Sequence, residues 1–472
     1  MADAIVVGSG PNGLAAAITL ARAGRSVRVV ERAEIVGGGM RSAELTLPGF
    51  VHDVCSAIHP LALASPFLRS VPLEEHGVRW IAPPTQLAHP FDDGSSAVLE
   101  RSLDATCDAL GADGARYARL LRPLVDDAER LMPDLLGPVR LPRHPVGFAR
   151  FGARGTLPAT VLARLAFKTE RARGFFAGLA AHSMLPLSSP VTAGYGLVLA
   201  LLGHAVGWPL VEGGSQQLAD ALASYLRSLG GEIETGYEVT SLAELDARAI
   251  VLDTGPQQLA QLAGDRLPAR YRRRLAGFRY GPGVFKLDWA LDGPIPWRAP
   301  ECGRAATVHL GPTLAEIAAS ERAPSRGEIV FTPYVLLAQQ SLFDPSRVPE
   351  GKQAAWAYCH VPNGSRVDMT DAIERQVERF APGFRERVLA RSSLGAADLQ
   401  RYNPNYVGGD INGGAGNLRQ LFTRPVARVN PYTTPLDGVF IGSSSTPPGG
   451  GVHGMCGVFA ARAALKHLER AR

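Results

Sequence analysis

The chain has 472 residues, 46% hydrophobic and 20% charged, with 52 Gly and 36 Pro; single cores stop growing near ~250–300 residues, so two or three folding units with room for a large cofactor are expected. The net charge of +5 is carried almost wholly by arginine, and so mild a basic excess says little about partners. The five cysteines (Cys55, Cys107, Cys302, Cys359 and Cys456) form no CxxC pair, which argues against a disulfide framework or a zinc site and fits a reducing cytoplasm; no metal is expected.

Met1 to Ala4 lead into an apolar strand without a basic stretch or cleavage site, so no secretory signal is expected and the mature chain is read as starting at or near Met1. The strand Ala4-Ile5-Val6-Val7 runs into Gly8-Ser9-Gly10-Pro11-Asn12-Gly13 and then into helical periodicity from Leu14 to Ala23. Strand, glycine turn and helix together make a dinucleotide site. Gly8 permits the tight turn, Gly10 lets backbone approach a pyrophosphate, Gly13 allows helix to pack on strand, and the helix start offers N–H groups to the phosphates. A second strand, Val27 to Val30, ends at Glu31, whose carboxylate can accept the ribose hydroxyls and disfavours a 2′-phosphate.

After Glu31 and Arg32 comes a second glycine cluster, Gly37-Gly38-Gly39-Met40-Arg41-Ser42, where a simple dehydrogenase would run into its next helix. Here the sequence resembles the flavoprotein superfamily of amine oxidases, phytoene desaturases and GDP-dissociation inhibitors, whose members carry such a segment beside FAD. The resemblance implies that Gly38, Gly39, Met40 and Arg41 wrap a non-covalent FAD. His59 follows by few residues and could line the substrate side as a catalytic group.

Between Arg140 and Phe176, arginines alternate with Phe148, Phe151, Leu162, Leu165 and Phe167. Such a stretch can mark contact with a membrane surface as readily as a solvated basic face. The apolar run from Ala193 to Val211 is interrupted by Gly196, Gly203, His204, Gly207 and Pro209, and is read as buried core rather than a spanning helix.

The segment Pro209 to Ser215, the helix from Gln217 to Arg227 and the strand Ala249 to Asp253 return the chain to the cofactor domain. By the resemblance, Val239 touches the adenine through its backbone. Lys286, alone among apolar residues in Gly283 to Leu291, resembles the V-x-K strand of amine oxidases, where a lysine reaches flavin N5 through water; a catalytic electrostatic role is implied. His360, Asp410, Asn412 and Tyr432 are further candidates that residue type alone makes more often structural. Gly408 to Gly414 follows no apolar strand and opens no helix, so no separate NAD(P)H site is expected. Oxygen, a quinone or another protein is then the electron acceptor.

The strongest signal is C-terminal: strand Val439 to Ile441, the loop Gly442-Ser443 through Gly451-Val452-His453-Gly454, and an alanine-rich helix to the end. This block resembles the flavin motif of the phytoene desaturase-like branch, including relatives called pyridine nucleotide-disulfide oxidoreductase domain-containing proteins. It implies cofactor contacts from Gly442, Ser443, Gly451, Val452 and His453, and His453 could exchange protons with the flavin. The fold expected is α/β, α+β overall. A Rossmann-type FAD-binding domain (1–69, 205–264 and 425–472) is joined to a discontinuous substrate domain of mixed sheet and helices (70–204 and 265–424). The expected function is hydride removal from a C–C or C–N bond of a hydrophobic small molecule, with no nucleic-acid partner and a cytoplasmic or peripheral-membrane location. A flavin-dependent isomerase and a non-catalytic isoprenoid or lipid carrier of the GDP-dissociation-inhibitor type stay open.

Overall fold

A computed structural model describes residues 2–470; Met1, Ala471 and Arg472, at the outer ends of the expected FAD-binding segments, lie outside the described residues. Two large sheets organise the chain. In order, their strands are β1 (Ala2–Val7), β2 (Val27–Val30), β3 (Thr85–Pro90), β4 (Ser96–Glu100), β5 (Glu232–Glu234), β6 (Ala247–Leu252), β7 (Gly283–Leu291), β8 (Ala305–Leu310), β9 (Val335–Ala338), β10 (Gln353–Val361), β11 (Val388–Leu394) and β12 (Val439–Ile441). Helices used below are α1 (Pro11–Arg22), α2 (Glu170–Ala181), α3 (Thr192–Ala205), α4 (Gln216–Ser228), α5 (Leu314–Arg322) and α6 (Met455–Arg470).

The first sheet is parallel, in the order β12-β6-β1-β2-β5. A parallel sheet covered on both faces is apolar along its whole strand rather than in alternation. β1 obeys this: Ala4 and Val6 pack with α1 and α6, while Ile5 and Val7 join Ile250, Leu252, Leu259 and Ile441 in a separate core on the other face. The strands reach this sheet from residues 2–30, 232–252 and 439–441, so the Rossmann-type unit is assembled from three stretches of sequence.

The second sheet is mixed, in the order β11-β7-β10-β9-β8-β3-β4, with only β8 and β3 parallel. Side chains of a strand alternate between faces. Phe285, Leu287 and Trp289 of β7 pack with Val308, Ala357, Phe380 and Phe384 in one core. The opposite face carries the other residues of the same rows: Lys286 sits across from Tyr358, Asp288 from Trp356, and Leu336 lies between Tyr358 and His309. That face turns toward the cofactor-side unit. The apolar run read as core is the buried helix α3, and among the described residues no helix is long and apolar enough to cross a membrane.

Candidate functional site

The glycine turn closes because β1 and β6 end side by side. Gly8 has φ +99°, and a Cβ added at Gly13 would lie 2.0 Å from the carbonyl oxygen of Gly8, so neither position accepts a larger residue without moving the turn. α1 begins at Pro11 with Gly10 as its cap; Pro11 has no N–H, the Gly13 N–H is taken by the Asp253 carboxyl, and the Asn12 N–H is the one left to face the cavity. Such a helix start is an anion site. At the tip of β2, Glu31 Oε2 accepts from the N–H and hydroxyl of Ser9 at 2.8 and 2.7 Å, and Oε1 accepts from the Ala33 N–H at 2.9 Å.

From this turn a single cavity of about 480 Å³ runs to the polar face of the mixed sheet. Gly8, Gly10, Pro11, Asn12, Glu31, Arg32, Gly38, Gly39, Arg41, Val239, Gly451 and Val452 line it, as do Cys55, His59 and Leu61. Its far end is formed by His182, Leu199, Trp208, Thr307, Leu336, Trp356 and Tyr358. With an anion site at one end and aromatic residues at the other, the cavity suits a dinucleotide carrying a planar ring system.

Asp253, at the end of β6, also lines the cavity and accepts from the Gly13 N–H at 2.9 Å. Burial, reinforced by the charge of Glu31, pushes its carboxyl up to about 8 against that hydrogen bond. It therefore holds a proton at neutral pH in the folded chain and loses it in the unfolded one. A raised folded pKa means that stability falls as pH rises from about 4 to about 8. Asp253→Asn keeps the acceptor oxygen and removes this dependence. Its melting temperature relative to wild type should climb across that pH interval and then level off, and a difference independent of pH would refute the protonated carboxyl.

Several residues singled out in the sequence lie off the cavity. Gly13 is packed beneath the turn, Met40 is fully buried in the core, and Gly442 and Ser443 face protein: a Cβ on Gly442 would meet the Ala460 Cβ at 2.7 Å, and the Ser443 hydroxyl bonds that of Ser445 at 2.6 Å. The His453 ring is held by backbone on both nitrogens, with Nε2 on the Gly449 carbonyl at 3.2 Å and Nδ1 accepting the Met455 N–H at 3.0 Å. It orders the entry to α6. Burial drives its pKa down to about 4, so it is neutral.

His59 does reach the cavity. Its Nε2 bonds Ser215 Oγ at 2.8 Å, and burial lowers its pKa to about 4.

Lys286 is on the cavity-side face of β7 but one layer back, 3% exposed and ion-paired with Asp288, its ammonium 5.3 Å from the centre of the Trp356 ring. Behind it His52 Nδ1 lies 3.4 Å from Asp288. Removing the lysine alone would strand a buried carboxylate, so Lys286→Met is made together with Asp288→Asn, which removes the ion pair as a unit. Sequence reasoning missed Asp288 although period-2 alternation puts it on the face of Lys286. It also missed His182, Trp208, Thr307, Trp356 and Tyr358, which no local motif connects.

Comparison with known proteins agrees with this geometry. Residues 6–69 match the family described as NAD(P)-binding Rossmann-like domain. The pyridine nucleotide-disulfide oxidoreductase domain-containing protein 2 of Mus musculus is 27% identical over 566 aligned positions, covering 99% of this chain and 94% of the mouse protein. Hydroxyneurosporene desaturase of Cereibacter sphaeroides is 31% identical over 309 positions, 61% of this chain and 58% of that enzyme. A solved structure of putrescine oxidase bound to putrescine superposes with a TM-score of 0.63 at 18% identity, covering 100% of this chain and 99% of the oxidase, a likeness of fold.

Proposed function

We propose that this chain, a relative of the phytoene desaturase-like oxidoreductases with the Rossmann-type fold shared by the amine oxidases, is an FAD-dependent enzyme that oxidises a hydrophobic small molecule. The observation that carries the reading is the continuity of the cavity from the helix start at Gly10 and Pro11 past Glu31 and Val239 to the aromatic end at Trp208, Trp356 and Tyr358. The residues fit FAD. The Asn12 N–H at the start of α1 would face a diphosphate, Glu31 would accept a ribose, and Gly38 leaves no space for more than hydrogen, since a Cβ there would lie 2.9 Å from the Gly10 Cα. When bound, FAD supplies two-electron acceptance from a C–C or C–N bond. The chain's own residues shut out water, orient the substrate against the aromatic end and set the Lys286–Asp288 pair behind the cavity wall.

Glu31→Ala tests the cofactor half of the reading. Loss of a charged hydrogen-bond acceptor costs about 1.5–3 kcal/mol, enough to strip flavin during gel filtration. The variant should elute colourless while wild type elutes yellow with one flavin per chain. Equal flavin content in both would sink the assignment of the site.

The basic stretch at 140–176 supports peripheral contact with a membrane. Its phenylalanines turn inward, yet Leu141, Val146 and Leu165 are 93, 73 and 69% exposed among Arg140, Arg143, Arg150 and Arg164. Exposed apolar residues flanked by cations are what a peripheral segment presents to anionic lipid. The protein should float with phosphatidylserine vesicles and cease to do so when Leu141, Val146 and Leu165 are all replaced by Asp; unchanged flotation would refute the contact.

A further inference from the structure

His182, at the aromatic end of the cavity, is half of a pair of imidazoles that the flavin chemistry does not require. His182 follows α2, and His309 is on β8; their Nε2 atoms are 2.9 Å apart, so one carries the proton and the other accepts it. His309 is fully buried, and its Nδ1 has no hydrogen-bond partner. Gly178 of α2 packs over that nitrogen, where an added Cβ would lie 2.8 Å away. A buried N–H left without an acceptor is rarer than a lone pair left without a donor. The His309 proton therefore sits on Nε2 and is donated to His182 Nε2, which fixes the tautomer of the second ring. Consequently His182 carries its own proton on Nδ1. That nitrogen has no partner among the described residues, is not enclosed, and belongs to a side chain lining the cavity.

We infer that His182 Nδ1–H is a hydrogen-bond donor aimed at the substrate, so that the substrate is a compact apolar molecule bearing an uncharged oxygen acceptor, such as a ketone or ether, rather than a pure hydrocarbon. The inference rests on the proposed function only in calling this cavity the substrate's. The surroundings keep the donor neutral. Burial, followed by the nearby His360, holds His182 down to about 3, and His360 is itself tied through Nδ1 to Glu321 of α5 at 2.7 Å. Burial likewise pushes His309 far below the histidine range, with His182 and His89 adding to it. Tyr358 of β10 lines the same end with its hydroxyl in neutral form, since burial raises its pKa. Leu199, Trp208 and Leu336 supply the apolar surround. These groups form no cluster placed to hold a metal ion.

Cyclohexanone and methylenecyclohexane have the same shape and differ in a C=O against a C=CH₂, which makes them the probe pair. Binding of each to the flavin-loaded protein is read by quenching of tryptophan fluorescence, with Trp208 and Trp356 in the cavity wall, and by equilibrium dialysis. Wild type should bind the ketone about tenfold or more tightly than the alkene, the factor that follows from leaving a buried donor unpaired. His182→Leu should bind the two equally, while His182→Gln, which retains an N–H donor, should keep most of the preference. His309→Phe removes the group that sets the tautomer and should reduce it. Equal binding of the two probes by wild type, binding of neither, or a preference that survives in His182→Leu would each overturn the inference. Flavin content, measured separately on the same samples, reports on the proposed function: a colourless protein that prefers the ketone refutes the cofactor reading and keeps this one.

Discussion

Arg347→Met should destabilise the protein by about 3–5 kcal/mol, the range found when one partner of a buried ion pair is removed and the other is left bare. The guanidinium is entirely enclosed between two carboxylates, with Nη1 2.5 Å from Asp53 and Nε 2.6 Å from Asp344, and Nη2 donates to the Val211 carbonyl at 2.6 Å. Those carboxylates are themselves hubs. Asp53 accepts from the Ser215 N–H at 2.7 Å and the Ser42 hydroxyl at 2.8 Å, and Asp344 accepts from the Gly213 N–H at 2.8 Å. One cation thus joins the segment after the second glycine cluster, the Gly213–Ser215 turn that opens α4, and a loop of the substrate side. Methionine matches the aliphatic stem and leaves two charges in an apolar interior. Chemical denaturation measures the loss, and a triple variant, Arg347→Met with Asp53→Asn and Asp344→Asn, should recover much of it because no ion then remains buried unpaired. A loss below about 1 kcal/mol in the single variant would show that the three groups are not coupled as the distances indicate.

What the sequence reveals of this molecule divides along the range of the interactions. The Gly8–Gly13 turn and Glu31 were legible because strand, turn, helix and second strand are contiguous, although the turn also packs on the distant Asp253. The C-terminal loop was legible as a loop before a helix, but not in its detail. Gly442 serves close approach of β12 to α6, and His453 serves the backbone around the start of α6, because those tasks depend on packing that a glycine-rich string does not encode. Arg347 drew no attention in a chain with many arginines, since its partners are 294 residues upstream at Asp53 and three residues away at Asp344. The aromatic end of the cavity is a product of strand register. Trp356 and Tyr358 are two apart on β10 and share a face, yet only the pairing of β10 with β9, and of β9 with β8, brings them beside Thr307 and His309.

Gly457→Ala should be at least as damaging, by about 3 kcal/mol or more, although it adds one methyl group to a helix, where alanine has the higher propensity. The first turn of α6 crosses α1 at this point. A Cβ on residue 457 would lie 1.7 Å from the Asn12 carbonyl oxygen, 2.6 Å from its carbonyl carbon and 3.1 Å from the Ala16 nitrogen. All three are backbone atoms, so no side chain can rotate away and the helices themselves must separate. On the other side β12 and α6 also approach closely, since a Cβ added at Gly442 would lie 3.2 Å from the Gly457 Cα. Displacement of α1 at Asn12 moves the N–H that would face the dinucleotide, so bound flavin should be lost together with stability. The control is Gly152→Ala in the helix Pro145–Gly155, where an added Cβ meets nothing within 4 Å; it should be neutral or stabilising by up to about 1 kcal/mol. Thermal melts and flavin content of the two variants, made side by side, decide the matter. If Gly457→Ala melts with wild type and keeps its flavin, the close crossing of α1 and α6 is not how the protein holds its cofactor site.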